Sequence, residues 1–447
     1  MRIIICGAFD IGIHLAKMLS TNHEDIILID DNEERLALIG SSFDLLTINA
    51  SPTSVKALRN AGADLADLFV AVTPDECLNI TACVLAKAIG AKKTVAKINN
   101  NEYIEQDLKG LLNKLGIDSV IYPEQLAAKD ISNSLEMSWV RQRLDIHDGA
   151  LVMLTIKLRE TCEILNNPLK NLCGPDDPYH VVAIKRQNET IIPGGNDELK
   201  LYDLVFFMTT PEYIPYIRKI VGKEYYVDVQ NVFVMGGGNT AVCAVNSLPS
   251  YLNVKLFEIN EKRCEELNDL LDSDRTLIIN GDGRDIQLLT EEGIKQAQAF
   301  VSLTDNAETN ILACLTAKRL GVRKTIAMVE HVDYVNIAES LDIGTIINKK
   351  SIAASHIYQM MLDDNVNNMR FINSVNADVA ELIPKENSKV TKRPMKDLGL
   401  PKGITFGGLV RNNKGLLISG DTQIQSGDIV MVFCQDHKMK LVEKYFL

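Results

Sequence analysis

Short runs of β-branched and aliphatic residues recur along the chain, and each is followed by a segment whose apolar positions return every three or four residues. In the first part of the chain these runs fall near residues 2–6, 25–30, 45–49, 68–72, 93–98 and 119–122. A near-continuous apolar run of that length suits a strand buried on both faces. The intervening segments, such as Ile11 to Leu19 and Leu78 to Ile89, have the periodicity of helices with one buried stripe. This alternation predicts an α/β fold, a parallel sheet with helices on both faces. A longer helix is expected from Pro123 to about Leu135. Beyond it the texture shifts to short strands and turn clusters such as Pro193-Gly194-Gly195-Asn196, closing on the strand-like run Tyr202 to Phe207.

The pattern then starts again. Ile3-Ile4-Ile5-Cys6-Gly7 has a partner in Val232-Phe233-Val234-Met235-Gly236, and the runs ending at Asp30 and Glu258 correspond. Val70 to Asp75 matches Val301 to Asn306, and Asn79 matches Asn310, all at an offset of about 230 residues. A second long helix is expected from Lys349 to about Leu362, and a second turn-rich segment ends in Ser419-Gly420-Asp421-Thr422 and Gly427 to Val432. Repetition on this scale sets the architecture. The expected fold is two Rossmann-like parallel-sheet domains, residues 1–137 and 228–362, each followed by a small α+β domain, residues 145–225 and 368–447.

A dinucleotide fold needs glycines after its first strand for the tight turn and for close approach of the backbone to pyrophosphate. The following helix start holds phosphate through free N–H groups, and an acid about 20 residues on accepts from the ribose. The second half meets this requirement. Gly236, Gly238 and Ala241 stand at the three positions of G-x-G-x-x-A, and Glu258 ends the next strand. The first half departs from it. Gly7 and Gly12 hold the outer positions and Asp30 the acid, but Phe9 stands where the second glycine belongs. Its ring is expected to fill the pyrophosphate space. Gly281-Asp282-Gly283 after the third strand has only Asn49-Ala50-Ser51 as its counterpart. Ligands of open parallel sheets bind beyond the carboxyl ends of the strands, which puts Thr73 and Thr304 at the crevices, with helix capping as the other reading. The candidate ligand-binding residues are Gly236, Gly237, Gly238, Asn239, Thr240, Ala241, Glu258, Asp282, Gly283, Thr304 and Asp305 in the second half. In the first they are Gly7, Ala8, Phe9, Asp10, Ile11, Asp30, Thr73, Pro74 and Lys97.

Composition narrows the function. Hydrophobic residues make up 46% and charged residues 24%, as in folded soluble proteins, and the net charge of -12 argues against nucleic acid as a partner. Nine cysteines without a C-x-x-C pair suit free thiols in a reducing compartment. No stretch approaches the ~18 apolar residues of a spanning helix. A dehydrogenase would need an acid–base group beside the nicotinamide. His147, His180 and His437 do not recur between the halves, and no hydrolase, zinc or Walker motif is present. A ligand-binding protein without catalytic or metal residues is therefore expected; an NAD-dependent oxidoreductase with duplicated Rossmann domains is the alternative.

Taken together, Gly236-Gly237-Gly238 with Glu258, Gly281-Asp282-Gly283, and Thr304-Asp305-Asn306-Ala307-Glu308-Thr309-Asn310 resemble the TrkA family, the RCK/KTN regulators of potassium transporters and channels. Thr73-Pro74-Asp75-Glu76 with Asn79, Asn167-Pro168-Leu169 and Gly427-Asp428 extend the resemblance over essentially the whole chain, while Lys97 stands where the family often has arginine. The resemblance implies tandem N-type and C-type domains. It also implies NAD(H) as ligand, with ATP or ADP as further adenine nucleotides, and assembly into dimers or tetramers. Its implied partner is an integral membrane potassium transporter of the Trk type, reached from the cytoplasmic face of the membrane. Leu126, Ile131, Leu135, Ile352 and Ile357 form apolar stripes on the two long helices, Gln125–Leu135 and Ser351–Leu362. Either a second N-type domain or the helix's own domain would cover them.

Overall fold

A computed structural model describes all residues except 21–24, 148, 173–177, 188, 361–365, 372–376, 436 and 437. The predicted helix end at Leu362 and His437 lie outside the described residues. Six strands appear where the first apolar runs fall: β1 Arg2–Cys6, β2 Asp25–Asp30, β3 Leu46–Asn49, β4 Leu68–Ala71, β5 Lys93–Lys97 and β6 Ser119–Ile121. They pair in parallel in the order β3-β2-β1-β4-β5-β6. Ile3, Ile4, Ile5 and Cys6 are fully buried, as a central strand covered on both faces requires. The chain winds outward in opposite directions from β1 and β4, so the carboxyl ends of those two strands part to form the crevice. Gly7 and Thr73 stand there, close enough that a Cβ on Gly7 would lie 2.9 Å from the Thr73 nitrogen.

The next sheet is antiparallel: β7 Gln142–Ile146, β8 Leu151–Lys157, β9 Tyr179–Arg186, β10 Glu189–Ile191 and β11 Leu204–Thr209, in the order β10-β9-β11-β8-β7. The second parallel sheet comprises β12 Asn231–Met235, β13 Asn253–Glu258, β14 Thr276–Asn280, β15 Ala299–Ser302, β16 Lys324–Met328 and β17 Thr345–Ile347. Its order, β14-β13-β12-β15-β16-β17, repeats the first. The last sheet holds β18 Val366–Phe371, β19 Ala377–Leu382, β20 Ile404–Arg411, β21 Lys414–Leu417 and β22 Ile429–Gln435 in the order β18-β19-β22-β20-β21, the arrangement of the first small sheet. The fold is thus two Rossmann-like parallel sheets and two small antiparallel ones, as the sequence predicts.

One repeated anchor explains the acid at each closing turn. Asp203 and Asp428 are buried, and each takes a two-pronged ion pair from an arginine on a neighbouring strand, Arg186 or Arg411. The free lone pairs accept from the backbone N–H of Lys200 or Gln425 at 2.8 and 2.7 Å. A buried carboxylate is tolerated because its charge is matched in this way.

Contact density groups the chain into two units, residues 1–126 with 348–361, and residues 127–347 with 362–447. In the first unit the helix Lys349–Gln359, which follows the second parallel sheet in sequence, packs on the helix Asp10–Ser20 of the first. Lys350 pairs with Asp10 at that helix start. In the second unit the first long helix, Pro123–Leu135, meets the helix Asn239–Ser247 of the second parallel sheet through Ser132 Oγ, which donates to the Ser247 carbonyl at 3.0 Å. Each long helix therefore packs on the parallel-sheet domain of the other copy, and of the two sequence readings the exchange is the one observed. The two small sheets, both in the second unit, share a core in which Val182, Phe206 and Met208 meet Val410, Met431 and Phe433.

Candidate functional site

The second crevice is built from the strand–turn–helix that leaves β12. Gly236 turns at φ +99°, a conformation that favours glycine, and its N–H donates to the Phe257 carbonyl at 2.9 Å. Gly237 N–H donates to Glu258 Oε2 at 2.7 Å, and Asn260 N–H donates to Oε1 at 2.8 Å. The carboxylate is thereby aimed at the mouth of the crevice and stays half-buried, with lone pairs left for a ligand. Gly238 caps the helix Asn239–Ser247 without any side-chain hydrogen bond to the helix start. A Cβ placed on Gly238 would meet nothing within 4 Å. Open space above an uncapped helix N-terminus is what a phosphate needs. Behind it, Thr240 and Ala241 are buried. Asp282 is tied to Arg284 at 2.7 Å on the neighbouring loop. Asp305 is exposed beside Asn306, whose side chain caps the helix Ala307–Arg319.

The first crevice repeats the frame with different side chains. Gly7 turns at φ +110°, Ala8 N–H donates to Asp30 Oδ2 at 2.7 Å and Asn32 N–H to Oδ1 at 2.9 Å. Phe9 occupies the position of Gly238, and the Arg35 guanidinium lies 3.9 Å from the centre of its ring. Arg35 also reaches Asp30 Oδ1 at 3.2 Å, which leaves Asp30 only 2% exposed, against a half-buried Glu258. Ile11 is buried in the helix that follows, and Asp10 at its start is neutralised by Lys350. The Pro74 carbonyl accepts from Asn99 Nδ2. Lys97 donates to Asn99 Oδ1 at 2.7 Å, and burial pushes its pKa down.

The two threonines are occupied in the same way. Asn79 Oδ1 accepts from both the backbone N–H and the hydroxyl of Thr73, while its amide donates to the carbonyls of Thr73 and Lys97. Asn310 makes the same clasp on Thr304, with the Met328 carbonyl in the place of that of Lys97, and accepts in addition from the Ser302 hydroxyl. Helix capping falls to Asp75 and Asn306 instead. Thr73 and Thr304 border the crevices, but their hydroxyls hold the fourth-strand loop to the helix behind it.

The TrkA-N domain family matches residues 3–123 and 232–349, and the TrkA-C domain family matches residues 379–447. The chain belongs to the TrkA family. A Trk system potassium uptake protein TrkA homolog of Archaeoglobus fulgidus is 29% identical over 447 residues, covering 100% of both chains. The Trk system potassium uptake protein TrkA of Haemophilus influenzae is 29% identical over 100% of this chain and 98% of its own. Among solved structures, the GsuK RCK domain superposes with a TM-score of 0.60 at 14% identity over 100% of this chain and 94% of that one. The GsuK channel bound to NAD gives the same score and identity over 100% and 78%.

In this TrkA chain two residues of the site escape the fingerprint. Arg35 and Arg263 lie at the same offset as the acids they attend, three residues after Asn32 and Asn260. Arg263 donates through Nε to the Gly237 carbonyl at 2.8 Å, where Arg35 stacks on Phe9. Their shared spacing was the available signal. His180 is half-buried, and desolvation of its ring pushes its pKa down to about 4, so it is neutral at physiological pH. No helix among the described residues is long and apolar enough to cross a membrane.

Proposed function

We propose that this protein is a cytoplasmic, nucleotide-sensing regulatory subunit of a Trk-type potassium uptake system, with the second crevice as its NAD(H) site. The carrying observation is the open space over Gly238 beside the half-buried carboxylate of Glu258, set against Phe9 with Arg35 stacked on it at the same position of the first crevice. In this reading the backbone from Gly236 to Thr240 holds pyrophosphate, and Glu258 accepts from the ribose hydroxyls. Asp282, Gly283, Thr304 and Asp305 border the base and the second phosphate. The NAD-bound GsuK channel, which shares this fold, supports a dinucleotide over a mononucleotide. ADP or ATP is the ligand proposed for the first crevice, weakly held there because Arg35 already occupies Asp30, with Lys97 as the cation for phosphate. The TrkA relatives support an integral membrane potassium transporter as partner and a peripheral position at the inner face of the membrane. The protein works as a dimer or tetramer, and its ligand biases a gate only by the difference in affinity between two states.

Calorimetry of the full chain with NAD+ and NADH tests the site. Gly238→Val is expected to abolish dinucleotide binding with little change in melting temperature, because its side chain starts from a Cβ in open space on the ligand side. Glu258→Ala should cost about 1–3 kcal/mol of binding through lost charged hydrogen bonds. Unchanged affinity in both variants would remove the assignment. In the same samples NADH should stay unoxidised; steady oxidation would favour a duplicated oxidoreductase.

A further inference from the structure

A second ligand site is written in charge at the other end of the second parallel sheet. The cleft there, about 260 Å3, lies between the first small sheet and the amino end of β16. The nucleotide crevice is at the carboxyl ends of β12 and β13. A five-residue strand rising about 3.3 Å per residue separates the two ends by roughly 13 Å or more.

The small sheet contributes Arg141, Lys157 and Arg159 to the cleft, and the segment after the helix Ile214–Ile220 contributes Lys223. Lys318, Arg323 and Lys324 face them from the second Rossmann-like domain. Among the described residues Asp342 is the one carboxylate that pairs with this group, taking Arg141, Arg159 and Lys318 together. The carboxyl end of the helix Ala307–Arg319 offsets about half a charge more. Lys324 is buried and donates to the carbonyls of Val140 and Arg141, and burial beside Arg141 pushes its pKa well down, so its proton is held weakly until an anion arrives. Lys223 donates to the Tyr226 hydroxyl, and Arg323 lies over the ring of the same tyrosine at 5.0 Å. The Lys157 ammonium makes no hydrogen bond or ion pair among the described residues, and burial with two neighbouring guanidinium groups pushes its pKa down. So large a positive excess in a low-dielectric recess is costly without counter-charge.

A further observation points to a ligand. Ser138 lines the cleft, is 6% exposed, and its hydroxyl has no hydrogen-bond partner. Buried hydroxyls are normally satisfied. A tetrahedral oxyanion in the cleft would accept from Ser138 and from the lysine and arginine donors at once. The volume is below the usual range for drug-sized ligands, roughly 300–1,000 Å3, which favours a small anion over a folded acidic segment.

We infer that this cleft binds a small phosphate-bearing anion, bridging the first small domain and the second Rossmann-like domain, separately from the nucleotide crevice. The inference does not depend on the nature of the crevice ligand. Bound phosphate would lock the two domains in one arrangement, giving the protein a second input.

The probe is pyrophosphate, titrated calorimetrically into nucleotide-free full-length protein at low salt, with inorganic phosphate as the smaller analogue. Saturable binding is expected to persist in a Gly238→Val background, where the crevice no longer takes pyrophosphate, and Lys157→Gln in that background should weaken it about tenfold or more. Lys157 carries no fold-holding contact, so its variant should keep the wild-type melting temperature, and Ser138→Ala should weaken binding without unfolding. Equal affinity in Lys157→Gln, or loss of all binding in Gly238→Val, would overturn the site. So would stabilisation matched by sodium chloride at equal ionic strength, which would reduce the effect to screening. Displacement of pyrophosphate by equimolar hexaglutamate would overturn the phosphate class in favour of an acidic protein segment.

Discussion

Phe9 and Gly238 occupy one position in two copies of one turn, and the proposed difference between the two crevices rests on that pair. The substitution was legible in the sequence because the glycine has a stated job, close approach to pyrophosphate. What the ring does was not legible. It serves as a platform for Arg35, and that arginine in turn closes Asp30. This depends on three chain segments meeting, which no local pattern encodes. The threonines teach the same lesson, since Thr73 and Thr304 stand where the strand ends predict but spend their hydroxyls on Asn79 and Asn310. Phe9→Gly should therefore raise adenine-nucleotide affinity at the first crevice, read by calorimetry in a Gly238→Val background that silences the second. The gain should stay within about tenfold, because Arg35 still holds Asp30 and glycine loosens the turn by roughly 0.5–1 kcal/mol. Tight dinucleotide binding by the unmodified first crevice would mean that the ring leaves the phosphate path clear.

At the scale of elements, the parallel strands were readable almost residue by residue, since a strand buried on both faces has little choice but aliphatic side chains. The pairing of the long helices was not. The stripe carried by Ile352 and Ile357 is the same whether the helix returns to its own sheet or crosses to another, because amphipathicity reports that a face is buried and not by what. The structure shows the crossing, with Lys350 docked on Asp10 at the start of the helix Asp10–Ser20. A carboxylate there favours the helix N-terminus, and Lys350 ties the arriving helix to that carboxylate. Lys350→Glu sets like charges together and should destabilise the docking by about 1 kcal/mol. Hydrogen exchange of residues 349–359 should then speed up severalfold while β1 and β4 keep their protection. Unchanged exchange in that helix would show that apolar packing alone holds it.

At the scale of the whole molecule, duplication gives each half the same parts, but the second unit is held together by contacts that have no counterpart in the repeat. Asp342, after the helix Val332–Ser340, receives Arg141 and Arg159 from the first small domain as well as Lys318 from its own. The cluster joins residues about 200 apart in sequence, so no spacing rule announces it. Burial alone would raise the Asp342 pKa, yet Arg141, Arg159 and Lys318 outweigh it and hold the group at about 2. A carboxylate depressed from its ordinary value near 3.8 to about 2 is worth roughly 2 kcal/mol when ionised. That contribution is fully present above pH ~4 and is lost as pH falls towards 2, where the folded state also protonates. Asp342→Asn imitates the protonated form and leaves three cations without their anion. It should lower stability at pH 7 by about 2 kcal/mol, the contribution that ionisation makes. The gap between wild type and variant, followed by chemical denaturation from pH 7 down to 3, should narrow only below pH ~4. A gap that does not change across that range would show that the carboxylate acts by shape and hydrogen bonding rather than by charge.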